Sequence, residues 1–345
     1  MKLAKKASGL GAAFTLALTA AACGSSGTGA SNSSSTSSPS SGATSGYKVA
    51  FVPKLVGIPY FTAMDQGMKS AAKRFGGQVI YEGPTTASVS GQAEVVKTLI
   101  AQHVSAVGVS ANSPTALCPL VTKAASANVM FYASDSNVSC SNSKLWVEQA
   151  RSKAIGYAAA DILASEIHGS GDVAIVSAGS TATNLNTWIS YMQQRLKKYP
   201  NLHVLPVQYA GESVSGSVQV GSRLIAAYPN LKGMIGVAST NVPGLAQAVL
   251  QAGKKGQIAV TGETDPNSIR PEIQSGLVKK VVLWNPTDLG YLTYWGVLQV
   301  LEHHPFSATN TVPGLPQKIT YDAARHMLLL GPPLIIDKSN VNLNF

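Results

Sequence analysis

Six polar residues stand at or just past the ends of short, apolar, β-rich segments. Lys54 follows "VAFVP", Asp135 follows "VMFYAS", Asn184 comes soon after "AIVSAGSTAT", Ser239 follows "MIGVA", Asp265 follows "AVTGET" and Asn285 follows "VVLW". Together they offer a cationic donor, two carboxylates, two amides and a hydroxyl. Tyr60, Phe61 and Trp284 lie close to them in sequence and add flat apolar rings. This set suits a neutral, hydroxyl-rich ligand, whose polar edges need hydrogen bonds when they leave water and whose C–H faces stack on rings. It does not suit covalent chemistry. The chain has no Walker loop, no H-E-x-x-H, no C-x-x-C and no G-x-S-x-G. His303 and His304 are adjacent and so cannot share one helix face as a metal pair would. No metal and no cofactor are expected. Sixteen acidic residues leave little material for a catalytic carboxylate pair, so the chain is not read as an enzyme; a secreted enzyme on the same architecture would need a poised nucleophile or base.

These residues need a scaffold that brings strand ends to one edge. From Tyr47 onward, β-rich segments such as "YKVAFVP", "GQVIYEG", "VSAVGVSA" and "NVMFYAS" alternate with helical stretches. In one of these, Pro59 to Phe75, the residues Phe61, Met64, Met68, Ala71, Ala72 and Phe75 recur on one face. A second series follows, with strands "DVAIVSAG", "HVLPVQYA", "KGMIGVAS", "QIAVTGE" and "KKVVLWNP". Such alternation builds a parallel sheet covered by helices on both sides. The strands are too many for one small sheet, which predicts an α/β fold of two doubly wound lobes joined by a hinge. The first lobe is expected to comprise residues 47–148 with 287–305, and the second 149–286 with 306–345. In each lobe the strand C-termini open toward one edge, and two facing edges enclose a cleft.

The chain has 345 residues, 45% of them hydrophobic, enough for two cores. Lys2, Lys5 and Lys6, then "LGAAFTLALTAAA", read as an export signal over residues 1–22. Cys23 follows three alanines, and residues 23–46 form a Ser/Gly-rich tether with almost nothing to bury. The net charge of +10 falls to about +7 without the three signal lysines. The remaining positive residues come singly or in pairs, with no basic run, so nucleic acid is not an expected partner. Cys118 and Cys140 remain once Cys23 is set aside; in an oxidising compartment they suggest one disulfide, with two separate buried thiols as the alternative.

The stretch "TAAAC" resembles a bacterial lipobox, with Ala20 where Leu is usual; this implies acylation of Cys23 and anchoring outside the cytoplasmic membrane. The stretches "FVPKLVGIPYF", "YEGPTTASVSGQ", "VSANSPTALCPLVTKA", "SDSN", "NLNTW", "TDPNSIRPEIQSG" and "IIDKSN" resemble the type I periplasmic binding proteins of ABC sugar importers. The nearest branch is that of the autoinducer-2-binding and rhamnose-binding proteins. The resemblance implies that Lys54 and Asp135 bind the ligand. It also implies ligand contacts at Asn184 and Leu185, where autoinducer-2 binders carry Asp-Gln, and at Val237 and Ser239, where they carry Pro and Ala. Asn184 exchanges a pure acceptor for a mixed donor and acceptor, and Leu185 replaces a polar group with an apolar one. Another sugar or polyol is therefore expected over autoinducer-2. The implied protein is a monomeric, lipid-anchored carrier serving an ABC permease; the alternatives are an autoinducer-2 carrier and a ligand-sensing lipoprotein that serves a receptor.

Overall fold

A computed structural model describes residues 46–345. The signal, Cys23 and the tether lie outside the described residues. The first βα series runs β1 (Lys48–Val52), α1 (Pro59–Phe75), β2 (Gln78–Tyr81), α2 (Val89–Ala101), β3 (Ala106–Val109), α3 (Cys118–Ser126), β4 (Met130–Ser134) and β5 (Leu145–Ala150). The second runs α4 (Ser152–Glu166), β6 (Ser170–Ser177), α5 (Thr183–Leu196), β7 (Asn201–Val204), β8 (Gln208–Tyr209), α6 (Val214–Ala227), β9 (Leu231–Gly236), α7 (Asn241–Gln251), β10 (Ala259–Gly262), α8 (Pro266–Gln274) and β11 (Lys280–Leu283). The chain closes with α9 (Pro286–Leu301), β12 (Thr309–Thr311), β13 (Lys318–Asp322), β14 (Met327–Gly331) and β15 (Leu334–Asp337).

Local sequence accounts for the boundaries. Proline at the first helical position opens α1, α8 and α9, where its missing N–H costs nothing. Ser88 and Ser213 cap α2 and α6 by accepting from the backbone N–H of Gly91 and Gly216. Gly76 ends α1 with φ of 88°, a conformation that glycine takes without Cβ strain. The central strands read as continuous apolar runs because both of their faces are covered; β3 is buried throughout.

The first sheet has the order β12-β13-β14-β5-β4-β3-β1-β2, parallel from β14 to β2 and antiparallel at the β12–β13–β14 end. The second has β10-β9-β6-β7, with β8 on β6, all parallel. An antiparallel β11–β15 ribbon adjoins it through a bridge between Glu263 and Val282. Helix α9 packs on α1 with almost no gap: a methyl group at Gly67 would meet the Thr287 carbonyl, and one at Gly290 the Met64 carbonyl.

Two expectations are corrected here. Residues 145–150 form a fifth strand of the first sheet, where the sequence suggested a crossing. The closing segment does not belong wholly to the second lobe: β12 to β14 extend the first sheet, and only β15 returns to the second. The chain therefore crosses three times, after Ala150, after Leu283 and between Gly331 and Leu334. A cysteine pair also forms as expected: Cys118 and Cys140 are bonded, with Cα atoms 5.3 Å apart.

Candidate functional site

Lys54 follows β1 and is only 3% exposed. Its ammonium donates to Asn184 Oδ1 at 3.0 Å and sits 3.7 Å from Asp135 Oδ2. Asp135 follows β4 with φ of 67°, a backbone region that non-glycine residues seldom enter and that recurs at functional sites. Its carboxylate is held from several sides. Oδ2 accepts from the Ser110 hydroxyl, and Oδ1 accepts from Tyr60 OH at 3.3 Å, Gln149 Nε2 at 3.2 Å and Asn184 Nδ2 at 3.2 Å. Asn184, in the first turn of α5, thus accepts from Lys54 and donates to Asp135, so one amide ties the second lobe to two charges of the first. Thr181 makes a second tie, donating to the Asn112 carbonyl at 2.8 Å.

Aromatic rings close the far side. Trp284 follows β11 and donates its indole N–H to Tyr60 OH at 3.0 Å. Its ring meets Tyr60 edge-on, with centroids 5.9 Å apart, and Trp188 at 5.5 Å. Together these groups line a narrow cavity whose water-accessible space is about 20 Å³. Ligand pockets run to roughly 300 to 1,000 Å³, so the side chains of the two lobes nearly fill this one between them.

Among the residues singled out in the sequence, Lys54, Tyr60, Phe61, Asp135, Asn184, Leu185, Ser239 and Trp284 line this one cavity. Three do not. Val237 is fully buried behind Ala238 and Ser239, which carry that strand end into the cavity. Asp265 caps α8, accepting from Ser268 N and Ser268 Oγ, and Asn285 caps α9, accepting from Asp288 N. Both satisfy helix N-termini, the commonest task of a short polar side chain at a strand-to-helix turn.

Two carboxyls that the sequence reading passed over take their place. Glu263 is 5% exposed and lines the cavity; burial pushes its carboxyl well above the ordinary range, with Asp135, Glu212 and Asp265 adding to the shift and Lys54 opposing it. Glu212, half-buried between β8 and α6, is also raised by desolvation, with Lys54 opposing and Asp135 reinforcing. Gly262 was the missed signal for Glu263. Its φ of 137°, and the collision that any Cβ there would make with Gly236, mark the turn that ends the strand just before Glu263.

No group of three or more His, Cys, Asp and Glu side chains is arranged to hold a metal among the described residues. The site offers hydrogen bonds and ring faces.

Comparison with known proteins agrees. A family model described as the periplasmic binding protein domain matches residues 49–305. An ABC transporter solute-binding protein from Clostridium phytofermentas, solved with bound L-rhamnose, is 27% identical; the match covers 86% of this chain and 97% of that one, with a TM-score of 0.81. LsrB from Clostridium saccharobutylicum, solved with AI-2, shares the fold at 22% identity and a TM-score of 0.82, covering 86% of this chain and all of that one. The D-allose-binding periplasmic protein of Escherichia coli is 22% identical over 249 residues, 70% of this chain and 80% of that protein. The chain belongs to the periplasmic binding protein domain family and has the type I periplasmic binding protein fold.

Proposed function

We propose that the chain is the solute-binding protein of an ABC importer and captures one small neutral sugar or polyol between its lobes. The observation that carries this reading is the Lys54–Asn184–Asp135 network, which joins the lobes at a narrow, ring-walled cavity. A ligand bonded to both lobes stabilises their closed arrangement and leaves the open one unchanged, which is the condition for closure on binding. In the closed state ligand hydroxyls take over donors and acceptors that otherwise satisfy one another. The L-rhamnose of the Clostridium phytofermentas protein and the D-allose named for the Escherichia coli one support a ligand of the monosaccharide class. Autoinducer-2 fits this site less well, because Leu185 presents an apolar side chain and Asn184 a mixed amide where that ligand's hydroxyls call for acceptors.

The finer proposal is a carrier anchored by acylated Cys23 on the outer side of the cytoplasmic membrane, passing its ligand to a permease and performing no chemistry. The signal-like start, the small residues before Cys23 and the tether support it. Mass spectrometry of small molecules released from freshly purified protein tests the ligand class. A pentose, hexose, deoxyhexose or polyol is expected; a peptide, an amino acid or a lipid would refute it.

A further inference from the structure

Glu263 differs from Lys54 and Asp135, the paired charges of the cavity, and is more deeply buried than Glu212, which also lacks a side-chain partner among the described residues. Asp135 has Lys54 beside it and four hydrogen-bond donors on its two oxygens. The Glu263 side chain has no ion pair and no hydrogen-bond donor among the described residues, although it is 95% buried and faces the cavity. Its backbone is fixed on both sides: the N–H donates to the Gly236 carbonyl at 2.9 Å, and the residue bridges to Val282. The residue's backbone is therefore fixed, and its unpartnered carboxyl faces the cavity.

The groups around it decide its state. From the first lobe Lys54, Tyr60 and Asp135 act on it, and from the second Glu212 and Asp265. Three of these five are carboxyls. The one cation lies within 4 Å of Asp135. A buried carboxylate in such company lacks compensation, and the proton is retained instead.

Resting on the reading of the chain as a sugar-binding protein, we propose that Glu263 is the second lobe's specificity contact and meets the ligand as a neutral acid, donating its O–H to a ligand oxygen while its carbonyl oxygen accepts from a ligand hydroxyl. Lys54 and Asp135 then present a charged donor and a charged acceptor from one side, and Glu263 a neutral donor–acceptor pair from the other. The site thereby selects a neutral polyol edge with adjacent oxygens. An ammonium-bearing sugar would instead require the ionised form.

Burial, with the nearby carboxyls, holds Glu263 above the ordinary carboxyl range; under the proposal it keeps its proton at pH 7, and the donor is lost as pH rises through the raised value. Infrared spectra of the full protein at pH 7 test the protonation directly: wild type should show a protonated carboxyl stretch that is missing in Glu263→Gln. Absence of that difference would overturn the proposal whatever the ligand proves to be. Calorimetry with L-rhamnose, D-allose, D-arabinose and D-glucosamine forms the second arm. For the sugar bound, Glu263→Gln should stay within about threefold of wild type at pH 7 and Glu263→Ala should lose at least tenfold. A fall in wild-type affinity toward pH 9 that Glu263→Gln lacks is also expected. Equal losses in the Gln and Ala variants, or preference for D-glucosamine, would contradict it. If none of the four binds, the sugar reading is what fails, and the infrared arm still decides the state of Glu263.

Discussion

Asp135 anchors the first lobe's side of the cavity from a left-handed backbone position, and its carboxylate is tied to four donors and one cation. That number of partners fixes its orientation before any ligand arrives, so less entropy is lost on binding. A different, half-buried acid carries a stability effect. Glu166, at the end of α4, has its carboxyl pushed up to about 7 by burial, with Lys279 and Lys280 opposing. The folded chain thus holds a proton that the unfolded chain, with a value near 4.5, releases earlier. The resulting contribution is present in full below about pH 4.5 and is lost as pH rises through about 7. Denaturant melts of Glu166→Gln should show a smaller loss of stability between pH 5 and 8 than wild type; identical pH dependence would remove Glu166 from the account. At this scale the sequence disclosed Lys54 and Asp135, because a charge directly after an apolar strand is visible in a single chain. It misled at Asp265. Counting from the strand end favoured the aspartate, while the turn at Gly262 brings Glu263 to the cavity and leaves Asp265 to cap α8. Glu212 was missed as well: it lies in the loop before α6, and the fold brings it to the cavity beside Lys54 and Asp135.

Helices α1 and α9 show how an element from late in the chain supports the site. Tyr60 and Phe61 lie in the first turn of α1, and Pro286 opens α9 two residues after Trp284. The close contact at Gly67 and Gly290 holds those two beginnings together. Replacing Gly290 by Ala forces the Met64 carbonyl away and should cost about 1 to 3 kcal/mol, the usual range for overpacking; a thermal melt with the transition unchanged would show the contact to be slack. The periodicity of Pro59 to Phe75 made α1 legible, since its apolar residues repeat at helical spacing. Strands β12 to β14 were not. Strand β14 pairs with β5, as Leu328 opposite Val147, across a separation that no local pattern encodes. A run of strand, turn and strand fits either lobe equally well until that long-range register is known. The segment "HVLPVQYA" likewise read as one strand and divides into β7 and β8 around residues 205–207.

At the scale of the whole molecule, two parallel sheets turn their strand C-termini toward one cavity, and the chain passes between the lobes three times. Three crossings suit the proposed hinge closure, because they keep the two halves of the site in register. Alternating strands and helices made this architecture readable from the sequence, and the family match over residues 49–305 agrees with it. The central claim is that Lys54, Asp135 and Asn184 hold a small neutral sugar between the lobes. Titration calorimetry of wild type and Lys54→Ala against L-rhamnose, D-allose and D-arabinose tests it most directly. Lys54 loses its ion pair and its cross-lobe bond in that variant, so the account predicts one-to-one binding of at least one sugar by wild type and a loss of about 1 to 3 kcal/mol, roughly ten- to hundredfold, in the variant. No binding of any of the three, or equal affinity in both proteins, would contradict it.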